Sequence, residues 1–66
     1  MYNNYKISFI VSTNGKARAR VEEFPCELSA QHAVNQLRSY FDGEELQVVN
    51  VWVERDRSWD IVEGWE

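Results

Sequence analysis

Asn14-Gly15 stands between two runs that alternate apolar and polar residues, Tyr5–Ser12, with one break at Ile10, and Ala17–Glu22. Alternation at period two is the mark of a half-buried strand, and Asn-Gly between two such runs marks a hairpin. No other feature restricts the fold as much, because a hairpin at the start commits the chain to an antiparallel sheet. The register is then a question of which side chains share a face. A loop of Asn14-Gly15 alone sets Val11 opposite Arg18 and Phe9 opposite Arg20, mixing the best core candidates with both arginines. A loop of Thr13-Asn14-Gly15 sets Val11 opposite Ala17, Phe9 opposite Ala19 and Ile7 opposite Val21. Burial favours the second pairing, since a one-residue slip exchanges the two faces. On this expectation Arg18 and Arg20 point away from the core, with Ile10 beside them.

Pro25 closes the second strand, because it has no ladder donor. Ser29 is in position to cap a helix. Ala30, Ala33, Val34, Leu37 and Phe41 follow at helical spacing as one apolar stripe. Asp42-Gly43 supplies the stop, with Gly43 expected in the left-handed C′ position of a helix over about residues 30–42. Leu46–Glu54 reads as a third strand whose apolar parity changes along its length. Either both faces are partly covered or a bulge near Val49-Asn50 switches sides. Arg55–Ser58 is a charged turn, and Trp59–Trp65 a last strand alternating Trp59, Ile61 and Trp65.

The order strand, strand, helix, strand, strand predicts an α+β two-layer domain, ββαββ, spanning residues 1–66. Right-handed crossover connections give an antiparallel sheet of order 2-1-3-4 with the helix on one face. One helix leaves the other sheet face open, and that face is expected to hold Ile10, Arg18, Arg20 and Trp52.

Sixty-six residues bury only about 60% of the surface the unfolded chain exposes. With one cysteine, Cys26, no internal disulfide forms, so the apolar core or self-association must hold the fold. The amino end has no signal-peptide pattern and the longest apolar run is far too short to span a bilayer, so a cytoplasmic protein without membrane contact is expected.

The net charge of −4 is unevenly spread. Residues 1–20 hold Lys6, Lys16, Arg18 and Arg20 and no acid; acids dominate afterwards. The overall sign argues against generic nucleic-acid binding. No catalytic residues, metal site or cofactor are expected. His32 is the only histidine, Cys26 reads as a core residue, and no orienting group or oxyanion device can be named. Binding is the better reading: arginine beside an aliphatic residue is common at interfaces, and of three tryptophans, at least one of them expected in the core, Trp52 and Trp65 are candidate exposed anchors. Glu22, Glu23, Glu27, Asp42, Glu44 and Glu45 are expected to gather where the second strand ends and the helix stops, as an acidic patch suited to a basic groove.

The hairpin, Leu28-Ser29-x-x-x-Ala33 opening a helix, Val48-Val49-Asn50-Val51-Trp52, a charged turn and Trp59 together resemble small proteins of phages and mobile elements. Among these the layout is most similar to anti-CRISPR proteins that pair an antiparallel sheet with one helix. The resemblance implies a non-enzymatic inhibitor that docks on a host nucleoprotein complex and blocks nucleic-acid recognition. The hairpin is also faintly similar to antitoxins of toxin–antitoxin pairs. Two alternatives come from the residues themselves: a nucleic-acid-binding module with arginines on phosphates and an aromatic ring on a base, and a homodimer that buries the open face against its copy.

Overall fold

Strand β1 (Asn3–Thr13) and strand β2 (Lys16–Cys26) form a long hairpin in a computed structural model that describes residues 3–26 and 28–65. Helix α1 (Ala30–Tyr40), strand β3 (Glu45–Arg55) and strand β4 (Ser58–Ile61) complete it. The sheet is antiparallel, in the order β2-β1-β3-β4, with the helix on one face. This is the expected ββαββ α+β architecture.

The hairpin register corrects the expectation from sequence. Thr13 pairs with Lys16, so the loop is Asn14-Gly15 alone. Val11 faces Arg18, Phe9 faces Arg20 and Ile7 faces Glu22, in place of Ala17, Ala19 and Val21. Asn14 and Gly15 both have positive φ, 53° and 79°. That is the type I′ turn whose twist matches the right-handed twist of its strands.

Burial did not overrule the turn because of a length mismatch. An eleven-residue strand runs about 36 Å, whereas an eleven-residue helix runs about 16 Å. The helix therefore covers the sheet only from the level of Tyr5, whose hydroxyl donates to Leu28 O at 3.1 Å, to the level of Phe9, whose ring lies 5.4 Å from that of Phe41. Beyond that level the edge strand is uncovered, and its helix-side residues Lys16, Arg18 and Arg20 are exposed, although Val11 beside them on β1 is still buried. In β2 only Cys26 is buried. Val21, expected in the core, is 57% exposed on the opposite face.

The core lies under the helix: Tyr5, Ile7, Phe9 and Val11 of β1, Val51 and Val53 of β3, and Ala33, Val34 and Leu37 of α1. The helical stripe is as expected, with Ala30 and Phe41 packed at its margins. Ser29 caps through its backbone, its carbonyl accepting the Ala33 N–H at 3.1 Å. Its hydroxyl is paired instead with His32 Nδ1 at 3.0 Å. The last turn ends at Phe41, so Gly43, left-handed at φ 89°, sits one residue beyond the expected C′ place.

The parity change in β3 is a bulge. Ser8 pairs with Asn50 and Phe9 with Val48, leaving Val49 as the extra residue. Leu46 and Val48 thereby join Val51 and Val53 on the helix side. The last strand stops at Ile61, short of the expected Trp65. Val62 still donates to Val51 O at 2.8 Å, then Gly64 turns at φ 69° and Trp65 packs against the core. Trp65 is therefore no exposed anchor.

The turn between β3 and β4 is also two residues long, Asp56-Arg57, with φ of 48° and 66° and no glycine. Left-handed backbone costs a non-glycine residue about 1–2 kcal/mol. The double substitution Asp56→Asn, Arg57→Gly is expected to raise stability by about 1 kcal/mol after the entropy cost of glycine, or roughly 4–8 °C in Tm. A thermal melt by circular dichroism checks this, and an unchanged or lowered Tm contradicts the strain.

Candidate functional site

The corrected register divides the expected site residues between the two faces. Side chains alternate across a strand. Ile10 lies on the face away from the helix, as does Trp52, which pairs with Lys6. Arg18 and Arg20 lie on the helix face, opposite Val11 and Phe9. The four residues therefore do not form one surface.

The arginines border the end of the helix. Arg20 holds its guanidinium carbon 5.7 Å from the centre of the Phe41 ring and donates to Glu22 Oε1 at 2.8 Å. Its stem lies along apolar surface while its charge stays in water. Arg18 and Lys16 line a hollow with Phe41 and Glu44, and Glu44 also accepts from the Thr13 hydroxyl at 3.1 Å. Among the described residues the expected acidic patch does not assemble. Strand β2 and the helix finish at opposite ends of the sheet, so Glu22 meets Arg20 while Glu44 meets the basic hairpin. Glu27, another of the six acids, lies outside the described residues.

The open face carries the more unusual arrangement. Lys6 extends from β1 across β3 toward β4, with Nζ 5.2 Å from the Trp52 ring centre and 4.5 Å from that of Trp59. The pairing explains why they meet: Lys6 faces Trp52, Trp52 faces Ile61, and Trp59 faces Glu54 one step along. Each cation–ring contact at such an exposed site is worth about 0.5–1 kcal/mol. Asn4 donates to Glu54 Oε1 at 3.0 Å and fixes the adjacent carboxylate. Around these lie Ile10, half-buried, and the exposed Ile61 and Val21, 58% and 57% accessible.

By parity Lys6 is the one base that the described strands place on this face, against Glu23, Glu45 and Glu54. Trp59, Ile61 and Lys6 were not singled out from sequence. The cue existed in the equal parity of Trp59 and Ile61. Which face that parity meant depended on the β3–β4 register.

Cys26 is buried in the core and His32 is exposed beside Ser29. Among the described residues no group of three or more His, Cys, Asp or Glu is placed to hold a metal ion. No helix among them is long and apolar enough to cross a membrane. No protein family, curated protein or solved structure matches the chain.

Proposed function

We propose that the protein is a non-enzymatic binding module that docks on a partner protein through the open face of its sheet. The observation that carries this reading is the Trp52–Lys6–Trp59 cluster bordered by exposed Ile61. Tryptophans in contact with a neighbouring cation and ringed by aliphatic side chains have the makeup of interface hot spots. The face bears more acid than base, which suits a basic protein surface.

The specific form of this proposal is the one the sequence layout suggests, an inhibitor of phage or mobile-element type that occupies a host nucleoprotein complex and blocks nucleic-acid recognition. Its support is the resemblance in layout together with an acid-leaning contact face. A nucleic-acid module is supported less well, because its phosphate-binding arginines stand on the opposite side of the sheet from the tryptophans.

Affinity capture of host proteins, followed by titration of the purified partner, tests the proposal. Trp52→Ala with Trp59→Ala is expected to weaken binding on the order of tenfold or more, whereas Arg18→Glu with Arg20→Glu leaves it nearly unchanged. The reverse pattern removes the open face as the contact. Salt-sensitive binding of a bare oligonucleotide, without a protein partner, replaces the inhibitor with the nucleic-acid reading.

A further inference from the structure

Strand β2 is a long edge strand, and its two-residue turn determines which backbone groups that edge presents. In such a hairpin the pair flanking the turn exchanges both ladder hydrogen bonds, and bonded and non-bonded pairs alternate from there. Thr13 and Lys16 are that pair, so Arg18, Arg20 and Glu22 bond across to β1. The N–H and C=O groups of Ala17, Ala19, Val21 and Glu23 are left pointing away from the sheet. The second hairpin obeys the same alternation, with Val62 N–H reaching Val51 O at 2.8 Å. Pro25 falls on an outward position, where its missing donor costs β1 nothing and ends the usable edge.

The charge order along this edge is the second observation. Bases come first, Lys16, Arg18 and Arg20, and acids follow, Glu22 and Glu23. A strand so ordered complements itself when run backwards. In antiparallel pairing with a second copy, one register puts Val21 opposite Val21, and Arg20 of each chain opposite Glu22 of the other. A shift of two residues one way sets Arg20 against Arg20. The same shift the other way sets Glu22 against Glu22. A shift of one residue turns bonded groups away from each other and exchanges faces. Directly opposed like charges destabilise a strand pair and opposite charges stabilise it. Arg20 and Glu22 are both partly exposed, at 48% and 41%, and already linked at 2.8 Å, so the dimer extends an existing ion pair into a network of four charges.

We propose that the chain forms a two-fold dimer by antiparallel pairing of its β2 edges about Val21, joining two four-stranded sheets into one. The occupant of the edge is thus a second copy of this chain. The pairing does not depend on the proposed function, and it leaves Trp52 and Trp59 free near the opposite edge.

Sedimentation velocity on the full chain tests it over a concentration series. An edge contact of this size is small, so a dissociation constant on the order of tens of micromolar is expected. Arg20→Glu, which sets Glu against Glu22 of the second copy, is expected to weaken the dimer on the order of tenfold. Adding Glu22→Arg restores the opposite charges and the dimer, although neither side chain is then native. Val21→Pro removes an outward donor that β1 does not use, and is expected to give a chain that is folded by circular dichroism and monomeric by sedimentation. A wild-type chain that stays monomeric throughout the series overturns the proposal. So does a dimer that withstands Val21→Pro, or one that the charge swap fails to restore.

Discussion

Phe9→Ala is expected to remove about half or more of the protein's stability. Phe9 is fully buried at the centre of β1. It packs on Phe41 at 5.4 Å, where the helix ends, and is flanked in the sheet by Arg20 and Val48. It therefore joins the hairpin, the bulged strand and the close of the helix. Truncating a buried phenylalanine to alanine costs about 3–5 kcal/mol, because the lost transfer energy is joined by the cavity left behind. A chain of 66 residues has a total stability of roughly 3–10 kcal/mol. The loss is about half of that total or more, and no internal disulfide compensates. Urea titration by far-ultraviolet circular dichroism checks this. A loss below about 1 kcal/mol contradicts the central place given to Phe9. Phe9→Leu keeps most of the volume and is expected to fold, with a loss of roughly 1–2 kcal/mol.

Val51→Asp is expected to abolish folding, while Val49→Asp is tolerated. The two valines have the same parity in the sequence, so a regular strand would give both the same face. The bulge separates them: Val51 is fully buried opposite Ile7, whereas Val49 is 46% exposed. An aspartate at residue 51 has no cation beside it in the apolar layer beneath the helix. Burying a charge unpaired costs several kcal/mol, or forces the group to protonate. At residue 49 the carboxylate reaches water, and a change within about 0.5 kcal/mol is expected. Equal destabilisation by the two substitutions would rule out the bulge as described. Paired urea titrations make the comparison.

The elements were legible because their signals are local. Asn14-Gly15 announces a hairpin whatever lies around it, and Ala30, Ala33, Val34, Leu37 and Phe41 can share a face only on a helix. The parity change in β3 pointed to the bulge as one of two explanations. The strand pairing decided between them, by setting Phe9 against Val48 and Ser8 against Asn50.

The candidate site was legible only in pieces. Ile10 and Trp52 were placed on the open face, whereas Arg18 and Arg20 were placed there by a burial argument that asked too much of β2. Turning both arginines away from the helix requires that every helix-side position be dry. An edge strand that outruns the helix does not meet the condition, and Arg20 resolves the conflict by laying its stem beside Phe41 with its charge on Glu22. Lys6 between two tryptophans needed strands far apart in sequence to be brought side by side.

What the sequence determined by itself is the set of elements and their order, since turn chemistry and periodicity act over a few neighbouring residues. The tertiary structure decided which face each element shows and which side chains meet there. Those outcomes depend on how much of the sheet a short helix can cover, and on a turn whose twist outweighed the burial of Val21.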